Sequence, residues 1–545
     1  MSIKRKYPVG IQSFEKIRKN GYLYIDKTPL IYKMITEGCP YFLSRPRRFG
    51  KSLLVSTLAA VFEGRRELFE AFTTEDGIEQ PQLFIATTNW RWEKYPVLRF
   101  DFSANNLSSI AKLNEYIDST LADYERLYGL SANGAGTSPR MVNIIRTAHE
   151  KMGRKVVVLC DEYDNMMLHC LGDPETQAIV RDRFQDLFAP LKSLDDHLQF
   201  VFITGISKFS QMGSHTPTRT HGWTFSKLNN LQNISMLIKY EQICGISEEE
   251  LITQLRPDIE LMAADSGNTY DETLSKLKRM YDGYHFSIGM TDMYNPYSMV
   301  SALNSGQIEK YWFDSATPSA LIAMLREMPP LGISDVDGAE CESDAFDRSF
   351  DSYQTPLPVL YQSGYLTIKC YNEEDDLYTL GFPNEEVRKG FAGSLYSYVT
   401  NTQSDDQRRS ALLKAYKVFR RTDDLPAFIE AIKTFYAGVP YQWEKDNKNE
   451  HYYHALLYTL LMAFGADVRA EEPSAKGCSD ITLKMPKGIY VMELKYDQTA
   501  EEAFGQIDRK GYADKYRLDG RPVTKVGIAF SSEQRNITDW KSETI

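Results

Sequence analysis

The chain has 545 residues, 42% of them hydrophobic and 25% charged, a balance that supplies real cores and excludes a disordered, collagen-like or disulfide-framework protein. This is several times the roughly 100–200 residues of one domain, so about three domains are expected. A net charge of -11 excludes a global cationic field for polyanions, and seven cysteines without a C-x-x-C pair or zinc-ligand spacing fit a reducing cytoplasm.

Residues 1–66 hold fourteen Lys/Arg against four Asp/Glu, leaving the remainder near -21, so any contact with an anion must be local. The start, Met-Ser-Ile-Lys-Arg-Lys-Tyr-Pro, is basic without an apolar signal core. The longest apolar stretch, Ala455 to Val468, is too short for a bilayer span, so no membrane association is expected.

Four short β-rich runs follow: Pro40–Ser44, Tyr95–Phe102, Lys155–Cys160 and Leu198–Thr204. They show little polar alternation and are separated by helix-length connections, the pattern of a mostly parallel sheet covered on both faces. Leu231 to Met328 reads as helical and suits a lid. It includes the aromatic turn Tyr281–Phe286, whose His285 is expected to pack rather than to ligate. An acidic linker over Glu340–Gln354 precedes a β-hairpin, Tyr365–Tyr371 and Leu377–Phe382, joined at Asn372–Asp376. Helices over Asp405–Trp443 lead to the last domain.

Arg45-Pro-Arg-Arg-Phe-Gly-Lys-Ser52 stands between the first run and the apolar helical stretch Leu53–Phe62. A phosphate loop needs backbone N–H groups and a helix N-terminus facing phosphate, a lysine for the β/γ oxygens and a hydroxyl for Mg²⁺. Gly50, Lys51 and Ser52 fit those roles, and the cluster Arg45, Arg47, Arg48 and Lys51 is dense enough to call for a counter-anion, a solvated basic surface being the alternative. Arg45 replaces the first glycine of G-x-x-x-x-G-K-S/T, and Pro46 removes a donor. Gly-Lys-Ser alone fits a plain helix start nearly as well; its place after a strand favours nucleotide binding. Val156-Val-Val-Leu-Cys-Asp-Glu162 then has the form of a Walker B strand. Asp161 would serve the Mg²⁺ shell and Glu162 would orient and deprotonate water, the alternative being two solvated acids. Thr204 would place a hydroxyl near the γ-phosphate. The run at Tyr95–Phe102, between the two motifs, is read as the inserted strand of ATPases with a glutamate beside Walker B.

Near the C-terminus, Gly477–Leu483 and Ile489–Lys495 read as paired strands. Residues two apart share a strand face, so Glu493 and Lys495 project together and a hairpin brings Asp480 beside them. Carboxylates to hold Mg²⁺ and a cation to position water are the needs of phosphodiester hydrolysis; a salt-bridged hairpin is the alternative. The helix from Glu450 offers a further acid for the metal shell, and the helix from Ala500 presents Gln506 and Tyr512. His451 and His454 read as packing or surface groups.

Together Tyr24-Ile-Asp-Lys-Thr28, the Arg45–Leu54 loop, Asp161-Glu-Tyr-Asp164, Thr204-Gly205, Leu228-Asn-Asn-Leu231, Tyr281-Asp-Gly-Tyr284, Asn295-Pro296 and the Asp480/Glu493-Leu-Lys495/Gln506 set resemble bacterial AAA-ATPase-like proteins with a C-terminal PD-(D/E)XK nuclease domain. The resemblance spans nearly the whole chain. It implies an α/β fold with a P-loop NTPase-type parallel sheet and helical lid (1–230 and 231–335), a linker and small hairpin-containing α+β region (336–400), and a restriction-endonuclease-like α/β domain with a helical lead-in (401–545). It further implies ATP and Mg²⁺ as cofactors, Gln506 among the catalytic residues, and a nucleic-acid substrate, DNA foremost, with a homo-oligomer left open. Arginine is common in the family where this chain has Cys478. Two other readings stay open: a regulatory or nucleic-acid-binding protein with an inert nuclease fold, and an ATPase acting on a protein partner.

Overall fold

The computed structural model describes residues 5–38, 40–103, 107, 109–131, 136–170, 173–207, 231–313, 336–347, 356–399, 406–438 and 450–545. The chain forms two compact units, Met1–Met324 with Glu340–Asn384, and Leu325–Ala339 with Glu385–Ile545.

The first unit is built on five parallel strands: β1 (Tyr41–Ser44), β2 (Val97–Asp101), β3 (Val156–Asp161), β4 (Leu198–Gly205) and β5 (Gln232–Asn233), in spatial order β2-β3-β4-β1-β5. Every residue of β3 is buried, as its Val-Val-Val-Leu-Cys run requires of a strand covered on both faces. Helix α1 (Lys51–Phe62) leaves β1 after Gly50, whose φ of 92° lies in the left-handed region that glycine adopts without strain. Nine of the twelve α1 residues are buried, so this helix is core on nearly all sides as it packs on β3 and β4.

The strand order corrects one expectation. The strand between the P-loop strand and the Asp161 strand is β4, whereas β2, formed by the Tyr95–Phe102 run, lies at the sheet edge beyond β3. Adjacency in sequence and in space differ here because parallel neighbours are joined by long crossovers.

Within 231–313 the expected helices form, among them α2 (Tyr270–Tyr281), started by a capping box between Thr269 and Glu272. They close on a core of Ile246, Leu251, Leu255, Ile259, Leu277 and Met299, which Tyr7 joins from the N-terminal segment, its hydroxyl 2.7 Å from Asp258 Oδ1. The expected hairpin is present as β7 (Thr367–Asn372) and β8 (Leu377–Gly381). Part of the expected acidic linker is itself a strand, β6 (Glu340–Glu342), paired antiparallel with β8. Residues 348–354 of that linker and 228–230 of the Leu228–Leu231 motif lie outside the described residues. His285 packs as expected: Nδ1 lies 2.6 Å from the Ile368 carbonyl and Nε2 2.8 Å from Asp292.

The second unit holds helix α3 (Glu450–Ala463), a five-stranded sheet and helix α4 (Ala500–Lys510). Its strands β9 (Asp467–Ser474), β10 (Gly477–Lys484), β11 (Ile489–Tyr496), β12 (Val523–Ser531) and β13 (Asn536–Thr544) lie in chain order, antiparallel except for the parallel β11–β12 pair. Helix α4 is the crossover that parallel pair needs; a Thr499/Glu502 capping box starts it and its last turn is basic, matching the helix dipole.

At the end of β4 the backbone is fixed by a side chain. Asp164 Oδ2 accepts from Ile206 N at 2.9 Å, Ser207 N at 2.7 Å and Ser207 Oγ at 2.8 Å, with the carboxyl buried. A Cβ on Gly205 would stand 2.4 Å from Asp164 Oδ1. Gly205→Ala is therefore expected to destabilise the protein by about 1–3 kcal/mol in urea denaturation. In an Asp164→Ala background the same change should cost measurably less, as coupled neighbours require.

Candidate functional site

The first constellation gathers at the C-terminal ends of β1 and β3, where a doubly wound sheet opens its ligand crevice. Arg45, in place of the expected glycine, is 2% exposed and points inward. Its guanidinium donates to the carbonyls of Ser44 at 2.9 Å, Ser235 at 2.7 Å and Tyr240 at 3.2 Å, and lies 4.2 Å from the Phe286 ring centroid. The loop is framed by a buried side chain where a glycine would have given only a bend. Phe49, also buried, packs edge-on against Tyr284 and Phe286 of the aromatic turn, and Trp312 Nε1 donates to Arg47 O at 2.9 Å.

Lys51 is 4% exposed and its ammonium donates to the loop's own carbonyls, Arg45 O at 2.9 Å and Pro46 O at 3.0 Å. It faces three acids electrostatically: Asp161, Glu162 and Asp164. Burial pushes the Asp161 carboxyl up to about 6; the Ser52 hydroxyl, hydrogen-bonded to it, and Lys51 oppose that rise, while Glu162 and Asp101 add to it. Asp161 Oδ1 is buried and has no hydrogen-bond partner among the described residues. Glu162 stands in the left-handed region at φ 48°, rare for a residue with a Cβ, and its carboxyl is raised by burial against the pull of Lys51 and Arg47.

Lys51, Ser52, Asp161 and Glu162 thus converge, with Gly50 at the turn and Arg47 within the electrostatic reach of Glu162. Arg48 is exposed, with its guanidinium 4.4 Å from the Tyr297 ring centroid. Thr204 is fully buried and its hydroxyl donates to Leu43 O at 2.7 Å, so it fastens β4 to β1 within the sheet. Asp164 had no assigned role in the sequence reading. No local pattern around Asp164 announces its partners Ile206 and Ser207, which lie 42 and 43 residues later in the chain.

The second constellation forms where β10 and β11 part. Their ladder runs to Ile481↔Met492, one step short of Asp480 opposite Glu493. There the Asp480 carboxylate takes over, Oδ2 accepting from Leu494 N at 2.7 Å. His454 of α3 lies 2.7 Å from the Asp480 carbonyl, which makes it a positioning donor. Glu493 is fully buried; its Oε1 accepts from Lys495 Nζ at 3.3 Å and from Gln506 Nε2 of α4, and Tyr512 OH stands 3.5 Å from that amide. Glu493 Oε2 is buried without a partner among the described residues.

Asp480, Glu493, Lys495 and Gln506 therefore come together. Glu450 opens α3, but its side chain lies outside the described residues. Glu472, near in sequence, is taken by Tyr516 OH. No group of three or more His, Cys, Asp or Glu suited to a metal occurs among the described residues. The carboxylate pair nevertheless fits a hard cation: both acids are oxygen donors, and a buried Glu493 oxygen lacks a partner, as Asp161 Oδ1 does in the first unit.

Burial, reinforced by Asp480 and opposed by Lys495, raises the Glu493 carboxyl to about 7. Between its ordinary value and about 7 the native state holds a proton that the unfolded chain has released, so Glu493 costs stability progressively as pH rises through that window. Glu493→Gln is expected to leave stability unchanged near pH 4 and to raise it by on the order of 1–3 kcal/mol at pH 8. Urea denaturation at the two pH values measures this.

Comparison with known proteins agrees with this geometry. A family described as predicted AAA-ATPase matches residues 8–214, and the PD-(D/E)XK nuclease superfamily matches residues 448–540. A protein of Azotobacter chroococcum mcd 1, described as an uncharacterized protein in the vnfD 5' region, is 30% identical over 553 residues, covering 99% of each chain. No solved structure matches. Among the described residues no helix is long and apolar enough to cross a membrane. With the loop after β1, the acids after β3 and the carboxylate–lysine set at the β10–β11 fork each inside a matched segment, the chain belongs to the bacterial family that joins a predicted AAA-ATPase domain to a PD-(D/E)XK nuclease superfamily domain.

Proposed function

We propose that the first unit binds and hydrolyses ATP with Mg²⁺ and that the second is a Mg²⁺-dependent nuclease cutting phosphodiester bonds of nucleic acid, DNA foremost. The domain limits proposed are 1–230 for the ATPase, 231–335 for its lid, 336–400 for the small middle region and 401–545 for the nuclease with its lead-in. A cytoplasmic location suits both cofactors. The observation that carries the reading is repeated in both units: a buried carboxylate beside a lysine, with one carboxylate oxygen lacking any partner among the described residues.

In the ATPase unit, Lys51 would exchange its two loop carbonyls for phosphate oxygens. Ser52 and Asp161 would hold the metal, Arg47 and Arg48 would add positive charge at the loop, and Glu162 would take the proton of the attacking water. In the nuclease unit, Asp480 and Glu493 would hold a divalent cation, joined by Glu450. Such an ion supplies Lewis-acid polarisation of the scissile phosphate. Lys495 keeps its ammonium beside Glu493, where it can hold water and offset developing charge. Gln506 fixes the Glu493 carboxylate, and Leu494 N fixes that of Asp480. A second reading, an inert nuclease fold that binds without cutting, is favoured by one feature: exposed, uncharged Cys478, two residues before Asp480, where the family resemblance leads one to expect arginine.

Lys51→Ala is expected to weaken nucleotide binding at least about tenfold in calorimetric titration, since the ammonium proposed to meet phosphate is lost together with its two bonds to the loop carbonyls. Asp480→Ala should remove both Mg²⁺ binding at the second site and DNA cleavage, whereas Lys495→Ala should remove cleavage and spare metal binding. Wild-type protein that binds DNA yet cuts neither DNA nor RNA with Mg²⁺ and ATP present would favour the inert reading.

A further inference from the structure

Beside the carboxylates of the second unit lies a charged cluster that the proposed chemistry leaves unused. Glu472 on β9 stands 3.7 Å from Lys484 Nζ on β10 and 3.7 Å from Lys515 Nζ beyond α4. Both ammonium groups also approach the Tyr516 ring, at 5.3 and 5.1 Å from its centroid, and the Tyr516 hydroxyl donates to Glu472. Arg469 on β9 adds its field to Lys515, Tyr516 and Glu472. Three cations therefore gather at Glu472, with Asp519 also in the field of Lys484 and Asp467 cross-strand from it. The Lys515 pKa is lowered by burial first, with Lys484 and Arg469 adding to it against Glu472, a repulsion that an added anion would relieve. The Lys484 and Lys515 side chains keep 21% and 30% of their surface, enough to meet a ligand from solvent.

Position gives the cluster its meaning. Lys484 follows Asp480 on the same strand, about 13 Å further along. Tyr516 hydrogen-bonds Thr482, whose hydroxyl lies 3.1 Å from that of Ser479, next to Asp480. Tyr512, on the same segment as Tyr516, reaches Gln506 at the carboxylates. Site and cluster thus share one continuous strip of the unit. A chain of net charge -11 repels a polyanion as a whole, so an attractive contact requires a local surplus of this kind.

We propose that Arg469, Lys484 and Lys515 form a rest for the phosphate backbone of a nucleic acid a few nucleotides from the carboxylates, with Glu472 as the counter-charge that keeps the cations assembled in its absence. This inference rests on the nuclease reading and adds to it where the strand lies.

The test uses the full chain in EDTA, a fluorescein-labelled DNA duplex and an RNA strand of the same sequence, and anisotropy across a salt series. Lys484→Ala/Lys515→Ala should weaken DNA binding about tenfold at low salt and make the slope of log affinity against log salt shallower by about 1–2. Glu472→Gln, which keeps an acceptor for Tyr516 while removing the negative charge, should tighten binding. Two variants with opposite signs cannot both arise from misfolding. If wild type binds but the double variant keeps its slope, or Glu472→Gln weakens binding, the phosphate rest is overturned while the nuclease reading stands. Wild type that binds neither polymer overturns both.

Discussion

A buried guanidinium, bonded to main-chain carbonyls and without an ion pair among the described residues, organises the loop after β1. Arg45 spends its hydrogens on main-chain carbonyls from its own strand and from the segment 235–240, and its face on Phe286. Charge-assisted bonds of this kind are each worth about 1.5–3 kcal/mol, and stripping one partner from a buried charge costs more than the bonds themselves contribute. The loop's path is thereby fixed by contacts made roughly two hundred residues later in the chain. Phe49 and Trp312 extend the same frame, so Gly50 and Lys51 are presented by a packed cradle.

Both constellations use one physical device. A strand carries a carboxylate out of water, at the end of β3 in one unit and where β11 parts from β10 in the other, and a lysine close by keeps the cost bearable. In the first unit the strand is β3 and the pair is Asp161 with Lys51; in the second it is β11, with Glu493 and Lys495. Desolvation raises both carboxyls, to about 6 and about 7. Carboxyls raised by burial beside a specific charge partner cluster at functional sites.

Much of this was legible in the sequence because it was local. Val156–Cys160 can only be a buried strand, Gly-Lys-Ser after a strand can only start a helix there, and Glu-x-Lys fixes two side chains on one face. What escaped notice depends on distant partners. Nothing near Arg45 in sequence announces Ser235 or Tyr240. The edge position of β2 follows from a strand order that no local pattern encodes, and the pairing of Glu340–Glu342 with β8 overrides an acidic composition that argued for a linker. Thr204 looked available for a ligand because its register against Leu43 was unknown; once β4 lies beside β1, its hydroxyl has a nearer acceptor.

The two carbonyls that hold the Lys51 ammonium have a thermodynamic corollary. An amine already solvated by its own backbone waits at little cost, so the loop can idle fully assembled. A phosphate bound there as proposed would gain only the difference between two sets of acceptors, and modest shifts of the Arg45 and Pro46 carbonyls would tune that exchange without altering any atom that the incoming group touches.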